Sequence, residues 1–252
     1  MRTILIVGIG AGDPEFLTLQ AIKALQRADV VFLPQKGDEK AGLNAVRMHI
    51  LERAVPGASH RLVPFQMPDR RVAETPEYQG SIDEWRGALR EAYLRLFTEQ
   101  LADGEAGAFL VWGDPGLYDG TLTLVEEMRG ELDISVEVVS GITAVQALAA
   151  AHRIALNRVG EAVTVTTGRR VAAGEADGLS NFVVMLDNHG QWRRFAEEPE
   201  TWIYWGAYLG TADQLLIAGR IADVQDEIAQ VREDARRRHG WIMDTYLIRR
   251  KR

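Results

Sequence analysis

Residues 3–14 read TILIVGIGAGDP, an apolar run that breaks into Gly8, Gly10 and Gly12 and closes on Asp13-Pro14. A short, unalternating apolar run bounded by turn residues predicts a strand buried on both faces, the pattern of a parallel sheet. Leu17, Ala21, Ile22 and Leu25 follow at the spacing of one helical face. The opening is therefore a strand, a glycine-rich turn and a helix, and this unit recurs along the chain. Val30–Leu33 reads as a second strand closed by Pro34, Leu43, Val46, Ile50 and Leu51 mark a helix, and Arg61–Phe65 reads as a third strand. The polar stretch Gln66–Gly80 predicts a loop. Ser81-Ile82-Asp83-Glu84 fits a capping box that opens a helix with Trp85, Leu89, Tyr93 and Leu96 inward. Ala106–Trp112 predicts a strand running into Gly113-Asp114-Pro115.

The alternation continues to the C-terminus. Thr121–Met128, Gly141–His152 and Gln214–Arg238 are expected helices, and Ser135–Val139, Ala162–Thr166, Phe182–Leu186, Thr201–Ala207 and Trp241–Ile248 are expected strands. Strands alternating with helices predict α/β architecture. A complete alternating set ends at the Gly113-Asp114-Pro115 turn, so two α/β domains are expected, residues 1–116 and 117–252.

Composition narrows the function classes. The chain has 252 residues, 46 % of them hydrophobic and 26 % charged, values of an ordinary soluble globular protein. No run is long and apolar enough for a bilayer span, and the N-terminus has no secretory pattern. The chain has no cysteine, which excludes disulfides and thiolate metal sites and fits a cytoplasmic setting. A formal net charge of −7 argues against an electrostatic nucleic-acid binder. Basic runs at Arg236-Arg237-Arg238 and in the last four residues read first as solvated surface. His49, His60, His152, His189 and His239 form no pair at metal-ligand spacing, so no metal site is expected. His152 reads as a charge partner for the end of its helix.

Three strand-to-helix turns carry the chemistry. The first, at Gly8–Pro14, is spaced G-x-G-x-G-D, not G-x-G-x-x-G. Its second strand ends in Leu33-Pro34 without the acid that holds a ribose, which disfavours a dinucleotide fold. The Lys-Ser/Thr of a P-loop is absent too. Gly113-Asp114-Pro115 follows a strand, where open α/β sheets bind ligands. Val139-Ser140-Gly141-Ile142-Thr143-Ala144 opens a helix with small residues, exposing backbone N–H groups that suit a carboxylate or ribose. Each turn alone reads equally well as a tight connection.

Together, in order and spacing, they resemble the tetrapyrrole (corrin/porphyrin) methyltransferase family. The resemblance runs through VGIGAGDPEFLTLQAIKALQRADVVF, WGDPGLYDGT, VVSGITAVQALAA, NFVVMLD and YLGTADQLLIAGRIADV. Ala11 and Ser140 stand where many relatives carry proline, and Met185-Leu186 stands where the family has a Tyr-Met pair. The resemblance implies two α/β domains with a cofactor cleft between them, the class III S-adenosylmethionine (SAM) methyltransferase fold, commonly as a homodimer. It implies SAM as methyl donor and S-adenosylhomocysteine as product. The cofactor positions it implies are Ala11, Trp112, Gly113, Asp114, Leu117, Tyr118, Thr143, Ala144, Met185, Leu186, Leu209 and Gly210.

Further segments, AAHRIALNRVGEAVTVTTGRR and RRRHGWIMDTYLIRR among them, are similar to the branch that methylates C1 of precorrin-5 with loss of its acetyl group. The competing readings are methylation of C11 or C20 without deacetylation, a non-tetrapyrrole acceptor on the same fold, and a nucleotide-binding module without chemistry. Acetyl loss needs a base to activate water and a donor to the developing oxyanion. Asp13, Tyr118 and Asp119 are the candidates, with helix N-capping the alternative for Asp13. Arg70, Arg71, Arg169 and Arg170 are the candidates for gripping substrate carboxylates, with a solvated role as the alternative. The expected partner is a small tetrapyrrole, with no nucleic acid and no membrane.

Overall fold

The computed structural model describes residues 1–35, 41–68 and 78–250. Arg70 and Arg71 lie outside the described residues. The chain divides into two compact units, Met1–Ile142 and Thr143–Arg252. This moves the expected boundary from 116/117 to 142/143, for a reason visible in the first sheet.

That sheet comprises β1 (Arg2–Gly8), β2 (Val30–Gln35), β3 (Arg61–Gln66), β4 (Ala106–Val111) and β5 (Ile134–Val139). All pairs are parallel, in the order β3-β2-β4-β1-β5. Because β5 pairs with β1 along its whole length, from Arg2↔Ile134 to Val7↔Val139, the chain stays in the first unit past residue 116. Helices α1 (Leu19–Gln26), α2 (Ala41–Ala54), α3 (Tyr78–Glu99) and α4 (Thr121–Met128) complete the unit.

Every residue of β4 is buried, as its unbroken apolar run predicts. Alternate residues serve opposite faces. Ile4, Ile6, Phe32 and Phe109 pack with Leu89, Tyr93, Phe97, Leu124 and Val125 of α3 and α4. Leu5, Val7, Val31 and Leu110 pack with Ala21, Leu25, Ile50 and Leu51 of α1 and α2. Gly107 makes room for an aromatic: a Cβ there would lie 2.6 Å from the Phe32 ring, which rests on Phe109 at 4.9 Å.

Two expectations change locally. Pro34 continues β2 instead of closing it, pairing with Phe65. The pairing of β4 with β2 stops at Phe32, so an imino acid is tolerated beyond it. Helix α3 begins at Tyr78, which puts the Ser81–Glu84 capping box inside it.

The second unit holds β6 (Thr164–Thr167), β7 (Asn181–Met185), β8 (Trp202–Ala207), β9 (Leu215–Arg220) and β10 (Asp244–Arg249), in the order β6-β7-β10-β8-β9. Only β6 and β7 run parallel. Helices α5 (Ala144–His152), α6 (Gly168–Ala172) and α7 (Ile221–His239) and a 3-10 turn at Gln191–Phe195 belong to this unit. Its core is aromatic: Phe182, Trp192, Phe195, Trp205 and Tyr246 are buried, and Trp192 meets Tyr246 edge-on at 5.4 Å.

The expected long helix from Gln214 resolves into β9 followed by α7. Along β9 burial alternates residue by residue, the period of an edge strand with one covered face. Ile217, Ile221 and Val224 stand at i, i+4 and i+7, the spacing of one helical face, so periodicity alone could not separate the two.

Candidate functional site

The C-terminal ends of β4, β1 and β5 lie side by side. The helices packed against the sheet after β1 and after β4 lie on opposite faces, α1 with one core cluster and α4 with the other. The β1/β4 junction is thus the topological switch point at which open α/β sheets form a crevice.

Glycines let the backbones meet there. A Cβ on Gly141 would lie 2.0 Å from the Gly113 carbonyl oxygen and 2.9 Å from Gly8 backbone atoms. Gly10 and Gly113 exchange backbone bonds: the Gly113 N–H donates to the Gly10 carbonyl at 2.9 Å, and the Gly10 N–H to the Gly113 carbonyl at 3.3 Å. Asp114 locks the third strand end, its Oδ2 accepting from the Gly141 N–H at 2.8 Å and its Oδ1 from the Gly116 N–H at 2.7 Å. The three turns singled out in the sequence are therefore one object in space.

Other first-unit candidates follow these turns along the chain. Asp13 caps the 3-10 turn at Pro14–Phe16, its Oδ1 accepting from the Glu15 N–H at 2.8 Å, which is the capping role weighed for it. Asp119 accepts from the Thr121 N–H at 2.8 Å and so fixes the start of α4. Tyr118 is 46 % exposed with φ +54°, a left-handed backbone rare for a tyrosine. Trp112 lies under the Arg47 guanidinium at 5.1 Å, and burial lowers Arg47 to about 10 against the opposing charge of Asp119. Tyr93 is pushed up to about 12 by burial, so it stays a phenol.

In the second unit, Thr143 caps α5, its hydroxyl accepting from the Val145 N–H at 3.1 Å and donating to Gln146 Oε1. Ala144 begins that helix. Met185 ends β7, and Leu186 follows it 62 % exposed with φ +54°. Leu209 is buried beside Tyr208, whose φ is +51°, and the Gly210 N–H donates to Gln214 Oε1 at 2.9 Å. Of the five non-glycine residues with positive φ among the described residues, Tyr118, Leu186 and Tyr208 all fall in candidate cofactor loops. Such strain costs about 1–3 kcal/mol per residue and gathers where function demands a shape.

Sequence reasoning missed the group that holds the Leu186 turn. Asp187 is buried and saturated: it accepts from the N–H groups of His189, Gly190 and Gln191 at 3.0, 3.1 and 2.6 Å, and from the Tyr246 hydroxyl at 2.7 Å. Arg232 donates to the Asp187 carbonyl at 2.6 Å and to Asp244 Oδ2 at 2.8 Å, where Trp205 Nε1 also donates at 3.0 Å. Burial pushes the Asp244 carboxyl up while Arg232 opposes it, and burial, reinforced by Asp187, raises Tyr246 well above the usual phenol range. The signal available in the sequence was the Asp187-Asn188 pair after a strand, a turn signature. Arg47 also left a trace, standing four residues from both Leu43 and Leu51 on the inner stripe of its helix.

Among the arginine candidates, Arg170 is exposed and paired with Glu175, with Nε to Oε2 at 2.6 Å, and Arg169 is exposed beside it. His152 departs from its expected role. Its Nε2 donates to the Trp205 carbonyl at 2.9 Å, and burial lowers its pKa, which favours the neutral ring over a helix-end cation. Among the described residues no three His, Cys, Asp or Glu side chains gather to hold a metal.

Comparison with known proteins decides what this arrangement belongs to. The family described as Tetrapyrrole (Corrin/Porphyrin) Methylases matches residues 3–225. The chain belongs to this family. It is 48 % identical over 252 residues to the precorrin-6A synthase [deacetylating] of Sinorhizobium sp., covering 99 % of this chain and 96 % of that protein. The crystal structure of a cobalamin synthesis related protein (CobF) from Corynebacterium diphtheriae superposes with a TM-score of 0.83 at 41 % identity, covering 99 % of this chain and 98 % of that one. The uroporphyrin-III C-methyltransferase of Thermus thermophilus, solved with S-adenosylhomocysteine, shares the fold at a TM-score of 0.61 and 18 % identity, covering 98 % and 97 %. In this tetrapyrrole methylase the glycine knot and the three left-handed loops are thus features of a methyltransferase.

Proposed function

We propose that this chain converts precorrin-5 to precorrin-6A in cobalamin biosynthesis, methylating C1 with SAM and releasing the acetyl group as acetate. The observation that carries the reading is the 48 % identity to a deacetylating precorrin-6A synthase across 99 % of the chain. The structure suits SAM on its own terms. Backbone N–H and C=O groups crowd a side-chain-free strand junction, strained loops project Tyr118 and Leu186 outward, and the Trp112 Nε1 donor is buried with no acceptor among the described residues. When bound, SAM supplies the electrophilic methyl group that the ring carbon takes up.

The chain's own residues then do the holding. Ala11, Trp112, Gly113, Asp114, Leu117 and Tyr118 contribute from the first unit, and Thr143, Ala144, Met185, Leu186, Leu209 and Gly210 from the second. Asp114 serves mainly by keeping Gly116 and Gly141 in place, because its oxygens already accept their two backbone N–H groups. Acetyl loss begins with water adding to the acetyl carbonyl. The carbon–carbon bond to the ring then breaks, acetate leaves, and the electron pair delocalises into the macrocycle. Asp13 and Asp119 each cap a turn through one carboxylate oxygen and are the candidates to take the water proton on the other, with Tyr118 as donor to the oxyanion. Arg169 and Arg170 remain candidates for substrate carboxylates. A homodimer in the cytoplasm follows from the same family resemblance and is checked by light scattering and fractionation.

The test uses precorrin-5 made with upstream enzymes and methyl-labelled SAM, followed by mass spectrometry. Gain of one labelled methyl with stoichiometric acetate is expected. Methylation with the acetyl retained would overturn the assignment.

A further inference from the structure

We propose that Arg47 grips a carboxylate of the tetrapyrrole substrate; this rests on the function proposed above and names a binding residue within it. The side chain is anchored at the edge of the sheet where the strands end. Its Nε donates to the Leu110 carbonyl at 3.3 Å and its Nη1 to Asn44 Oδ1 at 3.2 Å, while Asn44 Nδ2 donates to the Pro34 carbonyl at 2.9 Å. The guanidinium is thereby tied to the ends of β4 and β2, stacked on Trp112 at 5.1 Å.

What sets it apart is charge. Arg232 and Arg250, with side chains 13 % and 21 % exposed, both end on carboxylates, those of Asp244 at 2.8 Å and Glu198 at 2.5 Å. Arg47 has no carboxylate within ion-pair distance among the described residues, and Asp119 acts on it only through space. A half-buried guanidinium with no carboxylate in contact among the described residues is costly, and it carries five N–H donors in a fixed fork. The neutral acceptors Leu110 and Asn44 take two of them. Beside it the Trp112 Nε1 donor is also buried, with no acceptor among the described residues. Unspent donors around a planar cation suit a bidentate carboxylate. A polycarboxylate macrocycle offers several, and the amino-acid end of SAM offers one.

Arg47→Gln keeps the hydrogen-bonding shape without the charge, and Arg47→Lys keeps the charge without the fork. With precorrin-5 turnover as the readout, Arg47→Gln is expected to raise the KM for precorrin-5 at least tenfold, with kcat changed less than threefold. The Kd for SAM, measured by calorimetry, should stay the same. Arg47→Lys should fall between, and the wild-type KM should climb with salt more steeply than that of Arg47→Gln. An unchanged KM in a folded Arg47→Gln overturns the proposal. A weakened SAM Kd with an unchanged KM for precorrin-5 overturns it in favour of the carboxylate of SAM. Loss of the circular dichroism spectrum in both variants overturns it in favour of a structural role. Failure of the wild type to turn over precorrin-5 sinks the proposed function instead, and is seen before any variant is made.

Discussion

Gly141→Ala adds one methyl group at the closest backbone contact among the glycines described. Its new Cβ would sit 2.0 Å from the Gly113 carbonyl oxygen, whereas ordinary contact begins near 3.4 Å. Both neighbours are backbone, so no side chain can swing aside. The strand ends must part by more than an ångström, which breaks the 2.8 Å bond from the Gly141 N–H to Asp114. Overpacking costs roughly 1–3 kcal/mol. The lost bond to a charged acceptor adds about 1.5–3 kcal/mol. A total of about 3–5 kcal/mol corresponds to a melting temperature lower by roughly 10 °C in a unit of this size. Gly87→Ala is the matched control, because it lies within α3 with nothing inside 4 Å of its added Cβ. There the same methyl should stabilise by about 0.5–1 kcal/mol through helix propensity. The assay is thermal unfolding by circular dichroism with and without SAM, since a ligand that binds only the folded state raises the midpoint. Gly141→Ala should melt early and show a smaller rise with SAM. Equal melting of Gly141→Ala and wild type would refute the argument that these backbones meet.

Other outcomes follow from the buried polar groups. Asp187→Asn replaces one carboxylate oxygen with an amide NH2 that faces two of the four donors, and should cost about 3 kcal/mol or more, read from urea midpoints. Arg232→Ala strands the Asp244 carboxylate, 5 % exposed, and should cost about 3–5 kcal/mol. Arg27→Ala removes an exposed pair with Glu137 and should cost less than about 1 kcal/mol. Burial holds the folded His152 ring below its ordinary pKa of 6.5, so the folded state binds fewer protons. Its contribution to stability is present above that value and is lost as pH falls through it. His152→Gln should therefore flatten the loss of melting temperature between about pH 7.5 and 5.5.

The first sheet was legible because parallel strands buried on both faces leave plain apolar runs, and Thr3–Ile9 and Ala106–Trp112 are of that kind. The turns at Gly8, Gly113 and Gly141 were legible as glycines. Their mutual contact was not, because it depends on sheet order, which brings β4 and β5 to either side of β1. The domain boundary failed for the same reason: nothing local shows that β5 returns to pair with β1. The strand β9 was hidden because Ile217 belongs both to a strand period with Leu215 and to a helical stripe with Ile221 and Val224. Arg47 and Asp187 escaped notice because a charged residue shows its burial only once the elements around it are packed.

The tryptophans have a practical consequence. Four of the six, Trp192, Trp202, Trp205 and Trp241, belong to the second unit, and Trp192 and Trp205 are wholly buried. Intrinsic emission from the protein is therefore weighted toward the second sheet, while backbone ellipticity reports on both units. Comparing the two signals along one denaturation curve separates the melting of one half from the other without a label. In the first unit, Trp112 lies under the Arg47 guanidinium, so a small shift in emission there registers what arrives at that cation.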